Sequence, residues 1–182
     1  MIINYKLLSN AIDFFKYFEY QMVDVPWEVS SDSILKTVNT LDLAYPFNNQ
    51  YLVGSAEQSF LELIKLKKLP ENKNVMAVTP CFRNELITPL HSKYFMKLEL
   101  FSWSSKSYPE SHLNVAKKFF QSVAGYNIDE VDVEGVPHWK GSDLYLNNIE
   151  IGSYLKYNKD GIYWSCGTGL ALPRFEQALN NV

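Results

Sequence analysis

Residues 75–101 constrain the fold of this chain more than any other stretch. They begin with four apolar residues at 75–78 and end with a run at 95–101, in which Met96, Leu98 and Leu100 alternate with polar residues. A proline-containing segment separates the two runs. Two strand-like runs around a short connection predict an antiparallel hairpin that is buried on at least one face. The rest of the chain must therefore pack around a sheet.

The connection in this hairpin carries an unusual set of side chains. Arg83, Glu85 and His91 lie in it, and Phe95 and Glu99 follow on the second strand. Such charges are costly to bury without partners. An anionic, aromatic ligand such as a nucleotide would suit them, because Arg83 can bind a phosphate, Glu85 can accept from an exocyclic amine, and Phe95 can stack on a base. The alternative is a surface hairpin with solvated charges.

Composition indicates an ordinary folded domain. The chain has 182 residues, 47% of them hydrophobic, and a net charge of -3, which predicts one globular domain over 1–182 and argues against a dedicated nucleic-acid binder. Two cysteines, Cys81 and Cys166, are too few for a secreted disulfide framework, so we expect a cytoplasmic protein. No signal peptide or membrane span is expected, because no apolar run is long enough.

Helical spacing of apolar residues predicts helices over 4–20, 55–68 and 109–124. Ser55 is the expected N-cap of the second helix, and Gly125 is expected to end the third. His112, in the first turn of the third helix, is expected to be exposed.

Strand patterns outside the hairpin are short and apolar or alternating, and they lie at 22–27, 51–53, 128–136, 143–154 and 162–164. Pro26 marks the first as an edge strand, since proline has no N–H for a ladder. With its long apolar neighbouring helix, this strand is a candidate dimer surface. The alternative is a plain helix–strand unit in a monomer.

Two carboxylates in the segment 143–154 form a candidate metal site. Asp143 and Glu150 are seven residues apart, which places them on opposite faces of a continuous strand. A turn or bulge at Asn147 and Asn148 would bring them together. With the hydroxyl of Ser153, they would then offer hard oxygen ligands suited to Mg²⁺.

A glycine-containing segment near the end of the chain is a second candidate for ligand contact. Gly167 and Gly169 would let the backbone approach a ligand closely. Arg174, expected in the first turn of a closing helix, would add a cation against a phosphate or a base. The alternative is a glycine turn with no ligand.

These motifs, in this order, resemble the catalytic core of class II aminoacyl-tRNA synthetases over nearly the whole chain. The segment 4–27 resembles motif 1, the dimer motif. The segment 82–99 resembles motif 2, and 167–174 resembles motif 3. The four-residue spacing of His91, Phe95 and Glu99 is similar to that of the aspartyl/asparaginyl branch. The segment 89–94 also resembles asparagine synthetase A, a tRNA-independent relative.

The resemblance implies roles for the candidate residues. Arg83 would bind the α-phosphate and Glu85 the adenine amino group, while Phe95 and Arg174 would sandwich the adenine and His91 would lie near the γ-phosphate. Both arginines would be catalytic. The resemblance also assigns substrate binding to Glu57, Glu99 and Ser153. It assigns Mg²⁺ coordination to Asp143 and Glu150.

The sequence departs from the family pattern at several positions. Ala171 replaces a glycine of motif 3, Pro173 precedes the motif's arginine, and Leu90 replaces the arginine that usually precedes the histidine. Tyr157, with Lys156 beside it, lies where the branch has its substrate-carboxylate arginine, which argues against an aspartate substrate.

A zinc site at Cys166 is not expected. Some seryl-type relatives bind zinc there, but Ser55 occupies the position of the second thiolate that such a site needs.

The fold expected from this resemblance is α+β, with a six-stranded, mainly antiparallel sheet flanked by helices and without an anticodon-binding domain. The implied function is ATP- and Mg²⁺-dependent activation of an amino acid by a cytoplasmic homodimer, with tRNA or a small molecule as acceptor. The alternatives are a ligase similar to asparagine synthetase A and a non-catalytic paralogue that binds an amino acid, a nucleotide or a protein partner. The retained charged set argues against the paralogue, whereas Ala171 and Tyr157 argue for it.

Overall fold

The computed structural model describes residues 3–104, 109–133 and 140–181. Its helices are α1 (Tyr5–Tyr17), α2 (Ser31–Leu35), α3 (Ala56–Lys65), α4 (Pro109–Ala124) and α5 (Arg174–Leu179). Its strands are β1 (Gln21–Met22), β2 (Glu28–Val29), β3 (Tyr45–Phe47), β4 (Gln50–Leu52), β5 (Val75–Phe82), β6 (Tyr94–Trp103), β7 (Asp129–Val133), β8 (Lys140–Leu146), β9 (Ile149–Lys159) and β10 (Ile162–Leu172).

The strands form a large sheet and a small one. The large sheet has the order β1-β5-β6-β10-β9-β8-β7, and all its neighbours are antiparallel except β1 and β5. The small sheet has the order β2-β4-β3. The prediction of an α+β fold with a mainly antiparallel sheet is confirmed, but the large sheet has seven strands rather than six. The segment 143–154 supplies two of them, because Asn147 and Asn148 form a turn with φ of 52° and 62°.

Helices cover both faces of the large sheet, because strand side chains alternate between them. On β5, Met76 joins the core under α1 and α4, while Val75 and Ala77 join the core under α3. In the second core the Phe60 ring stacks on that of Phe101, with centroids 4.7 Å apart. The predicted hairpin is therefore the centre of the molecule, buried on both faces over much of its length.

The ends of several elements are set by local chemistry. Ser55 accepts a hydrogen bond from the backbone N of Glu57, and Gly125 follows α4 with φ 71°, as predicted. The helix predicted to reach residue 68 ends at Lys65 instead, since Lys67 adopts φ 57°. The strand predicted over 128–136 is observed in part, as β7. The end of that prediction, at Val136, lies outside the described residues, and so does His138.

The predicted strand over 22–27 is mostly wrong. Gln21 and Met22 form the outermost strand of the large sheet, paired with β5, and the last bond of this pairing runs from the backbone N of Val23 to the Met76 carbonyl at 2.9 Å. Pro26 lies beyond the strand, and its carbonyl accepts a hydrogen bond from Ser59 Oγ at 2.7 Å. The edge position was predicted correctly, but the proline belongs to the connection that follows.

His112 is buried, contrary to the prediction that it is exposed. Its Nδ1 lies 2.6 Å from the Tyr20 hydroxyl, and its Nε2 lies 3.1 Å from the hydroxyls of Ser102 and Ser165. These partners satisfy the polar atoms of the ring inside the core. Burial lowers the pKa of His112 to about 4, although a backbone hydrogen bond at Ser165 acts in the opposite direction.

The motif-3 glycines lie within β10, so the alternative of a glycine turn is wrong. A Cβ on Gly167 would lie 2.2 Å from Tyr154 Cδ1, and one on Gly169 would lie 2.3 Å from Leu98 Cδ2. Both glycines therefore make room for core side chains. In the described part of the chain, no helix is long and apolar enough to cross a membrane.

Candidate active site

Two adjoining cavities open on the α3 side of the sheet. The first, of about 200 Å³, is bounded by the connection between β5 and β6, by β9 and β10, and by the start of α5. The second, of about 260 Å³, lies among α2, α3 and the central strands. Four residues line both cavities: Arg83, Glu85, Lys97 and Ser153.

The chain has only two arginines in its whole sequence, Arg83 and Arg174, and both line the first cavity. Arg83 directly follows β5. Its backbone N donates to the Lys93 carbonyl at 2.9 Å, and its Nε donates to the Gly54 carbonyl at 3.2 Å. Its guanidinium carbon lies 5.1 Å from the centre of the Phe95 ring. The cation and the aromatic face thus meet at one wall of the cavity.

Arg174 approaches the cavity from the first residue of α5. Its Nη1 lies 3.6 Å from Glu150 Oε1, and its Nη2 donates to the Leu90 carbonyl at 3.3 Å. Gln177, one turn later, donates to the Pro89 carbonyl at 2.9 Å. These bonds join α5 to the connection between β5 and β6, so the two arginine segments are held together although they are far apart in sequence.

His91 is placed by a tight turn within this connection. Thr88 and His91 exchange backbone hydrogen bonds at 3.0 and 3.2 Å, and His91 Nδ1 lies 2.8 Å from Thr88 Oγ1. The turn directs His91 to the same cavity as Glu85 and Phe95. Thus the five residues predicted to bind ATP line one cavity.

The second cavity has a buried ion pair at its border with the first. Lys97 Nζ lies 2.9 Å from both oxygens of Glu99, and Ser55 Oγ donates to Glu99 Oε2 at 2.6 Å. Burial is the strongest influence on the pKa of Lys97 and lowers it, but the charge and hydrogen bond of Glu99, with a contribution from Cys81, together hold the pKa above its ordinary value. Lys97 is therefore positively charged in the folded chain.

Glu57 lies deeper in the second cavity. Trp164 Nε1 donates to Glu57 Oε1 at 2.6 Å. Burial, followed by the charge of Glu99, raises the pKa of Glu57 to about 7. Tyr157 lines the same end and stacks on Trp164 with ring centroids 4.8 Å apart. Among the described residues that line this cavity, the cations are Arg83 and Lys97, both at its border with the first.

The two predicted metal ligands are brought near each other by the β8–β9 hairpin. Asp143 pairs with Ser153 across the strands and accepts a hydrogen bond from its hydroxyl, whereas Glu150 lines the first cavity. Burial raises the pKa of Asp143, the Ser153 hydrogen bond lowers it, and the charge of Glu150 raises it. Asp143 does not line either cavity but lies behind Ser153.

These residues fit a magnesium ion in part. Asp143 Oδ1 is buried and lacks a hydrogen-bond partner among the described residues, as expected of an oxygen that awaits a cation. No group of three or more His, Cys, Asp or Glu side chains suited to a metal occurs within the described ranges. Mg²⁺ is usually held by one or two carboxylates, with phosphates and water as further ligands, so a pair is compatible with this ion.

The sequence analysis missed Lys97, although it selected the two residues on either side, Phe95 and Glu99. The signal was the strand alternation, which places 95, 97 and 99 on one face of β6. The three remaining predicted substrate residues, Glu57, Glu99 and Ser153, all line the second cavity.

The chain matches solved structures but neither a protein-family model nor a curated protein. Two pyrrolysyl-tRNA synthetase structures from Desulfitobacterium hafniense have TM-scores of 0.79 and 0.78. Each match covers 97% of this chain and 69% of the other, with 14% and 13% sequence identity. The chain therefore has the fold of a class II aminoacyl-tRNA synthetase catalytic core. At this identity the likeness concerns the fold, and the aspartyl/asparaginyl branch stays a prediction.

Proposed function

We propose that this chain activates an amino acid with ATP, and that the first cavity binds the nucleotide while the second binds the amino acid. The observation that carries the proposal is the convergence of the chain's two arginines, Arg83 and Arg174, on one cavity that also holds an aromatic ring. Guanidinium groups suit phosphates, and an aromatic face suits a base. Fold alone would not support a specific activity.

The nucleotide is oriented by the residues that line the first cavity. The base lies between Phe95 and Arg174, Glu85 accepts a hydrogen bond from its amino group, and Arg83 binds the α-phosphate. His91 lies toward the γ-phosphate. For Arg174 to face the base, its contact with Glu150 must loosen, and this requires little energy because a 3.6 Å pair with partly exposed side chains is weak.

In the reaction, a carboxylate oxygen of the amino acid forms a bond to the α-phosphorus, and the bond from that phosphorus to the pyrophosphate oxygen breaks. Pyrophosphate leaves with the electron pair of that bond. No side chain needs to act as a nucleophile, so the protein contributes alignment and charge stabilisation. The border between the two cavities, lined by Arg83 and Lys97, is where the two reactants meet.

Asp143 and Glu150, supported by Ser153, are the residues that would hold Mg²⁺. The ion would neutralise phosphate charge and orient the leaving group.

The second cavity favours an amino acid whose side chain is not acidic. Its deep end is lined by Glu57 and Tyr157, and both of its cations lie at the other end. A second carboxylate beside Glu57 would have no cation among the described residues at that end to pair with, and it would repel Glu57 whenever Glu57 is ionised. A neutral or basic side chain avoids this repulsion.

The acceptor of the activated amino acid is tRNA or a small molecule. The net charge of -3 favours a small acceptor or limited contact with RNA. Ammonia, as in asparagine synthetase A, is the small acceptor to test first, because the segment 89–94 resembles that enzyme. We also propose that the active chain is a homodimer.

Amino-acid-dependent exchange of pyrophosphate into ATP, measured across all the standard amino acids, tests the proposal. We expect exchange with one or a few amino acids that lack an acidic side chain. Arg83→Ala should abolish it with a small change in melting temperature, since Arg83 makes only partly buried hydrogen bonds. If the wild-type chain shows no exchange with any of the amino acids, the non-catalytic paralogue becomes the better interpretation. If asparagine forms when ammonia is added, the ligase similar to asparagine synthetase A is favoured.

A further inference from the structure

Among the described residues, Lys97 is the one lysine that lines the candidate active site, and its position on β6 separates the two cavities. Phe95, two residues before it, lines the first cavity, and Glu99, two residues after it, lines the second. Lys97 lines both, with 12% of its side chain exposed. Its ammonium is thus at the place where a ligand in one cavity meets a ligand in the other.

Two cations converge at this place. Arg83 also lines both cavities. Its charge acts against the charged form of Lys97, although Glu99 keeps the ammonium charged. Neighbouring like charges are costly unless an anion lies between them. A ligand with negative charge at the border of the cavities would remove that cost.

The ion pair with Glu99 does not by itself explain a lysine here. Replacing a buried ion pair by apolar residues of similar volume is often neutral or stabilising, and β6 carries buried apolar residues at Leu98 and Leu100. Glu99 is itself fixed by Ser55, at the N-cap of α3, whose hydroxyl donates to Glu99 Oε2. It therefore holds the Lys97 ammonium in a defined position at the border.

We propose that Lys97 is a further catalytic cation, whose ammonium contacts the substrate carboxylate and an oxygen of the α-phosphate while the bond between them forms. The inference rests on the proposed function. Lys97 keeps its proton throughout. As the carboxylate oxygen bonds to phosphorus and pyrophosphate departs, Arg83 and Lys97 together stabilise the negative charge on the phosphorus-bound oxygens.

The test compares Lys97→Gln with the wild-type chain in pyrophosphate exchange with the amino acid that supports it. Glutamine still donates a hydrogen bond to Glu99 but carries no charge. We expect kcat to fall about 100-fold, the usual scale for losing one such donor. The KM for ATP should change by no more than about threefold, because other residues bind the base and the other phosphates. Lys117→Gln is the matched control, since Lys117 also has an ion pair at 2.9 Å, with Glu130, but lies on α4 away from both cavities.

The outcomes separate this inference from the proposed function. A wild-type chain without exchange would refute the proposed function and remove the basis of the inference. A wild-type chain with exchange and a folded Lys97→Gln variant that retains its kcat would overturn the inference alone. If the variant does not fold, a crystal structure of the wild-type chain with a non-hydrolysable aminoacyl-adenylate analogue decides. We expect Lys97 Nζ about 3 Å from a ligand oxygen, and a contact with Glu99 alone would contradict us.

Discussion

Single residues in the core of this protein respond to pH in opposite directions. Glu57 has a pKa raised from 4.5 to about 7, so its contribution to stability is complete below 4.5 and is lost as the pH rises through 7. His112 has a pKa lowered from 6.5 to about 4, so its contribution is complete above 6.5 and is lost as the pH falls toward 4. The stability of the wild-type chain alone would mix the two effects.

A comparison with His112→Gln isolates the histidine. The stability advantage of the wild-type chain over this variant should shrink by about 3 kcal/mol, as an upper estimate, between pH 7 and pH 4, because the unfolded chain binds the extra proton first. Urea unfolding of both chains at several pH values measures this. A difference that does not change with pH would show that the ring is not held neutral in the core.

The positions of site residues could be predicted from sequence where residues close together in the chain line the same cavity. Arg83, Glu85 and Phe95 lie within thirteen positions of one hairpin, so their common cavity followed from local pattern. His112 was mispredicted because its partners, Tyr20, Ser102 and Ser165, come from other elements. A sequence does not reveal which hydroxyls will surround a histidine in the folded core.

At the level of elements, the glycines of β10 leave room for side chains of neighbouring strands to pack against its backbone. The Tyr154 hydroxyl donates to the Thr168 carbonyl at 2.6 Å, and its ring lies against Gly167. The sequence signal was ambiguous, because glycine serves a turn, a ligand contact and close packing equally well. The packing role depends on a tyrosine from another strand.

Gly167→Ala should therefore destabilise the fold by about 1–3 kcal/mol, the scale of overpacking in a core. The cause is the Tyr154 ring, which a Cβ would meet at 2.2 Å. Combining Gly167→Ala with Tyr154→Leu should cost less than the sum of the two single changes, by about 1 kcal/mol. Chemical denaturation of the four chains gives this coupling, and additive losses would contradict the packing role.

For the whole molecule, the position of β1 at the sheet edge bears on association. Tyr17, Met22 and Trp27 expose 82%, 42% and 55% of their surface on or near this edge. Exposed apolar residues beside an unpaired strand edge are typical of surfaces that associate. Phe18 and Pro26 are less suitable for a test, because the Phe18 ring packs on Phe14 and the Pro26 carbonyl accepts from Ser59.

We expect the wild-type chain to have twice its 21.0 kDa mass in size-exclusion chromatography with light scattering. Met22→Lys should shift it to the monomer, because a charge at the strand edge disfavours pairing. Lys65→Glu, on the exposed surface of α3, is a control that should leave the mass unchanged. A monomeric wild-type chain would refute the proposed dimer.

The architecture was more predictable than the details of its site. The central hairpin, α4 and the cap at Ser55 followed from apolar spacing and turn chemistry. The large sheet has seven strands where the resemblance implied six, and the turn at Asn147 and Asn148, which the sequence had suggested as a turn or bulge, separates two of them. The second cavity did not follow from local pattern, since its lining residues run from Ile34 to Cys166, and only the family resemblance pointed to Glu57, Glu99 and Ser153.

The central claim is that one mononucleotide lies between the chain's two arginines, and arginine-specific chemical modification tests it directly. Phenylglyoxal can react with only two side chains in this sequence, Arg83 and Arg174, and peptide mass spectrometry reports each separately. We predict that ATP with Mg²⁺ protects both arginines with the same concentration dependence, and that an amino acid alone does not protect Arg174. Modification of either arginine at an unchanged rate in saturating ATP would contradict the claim.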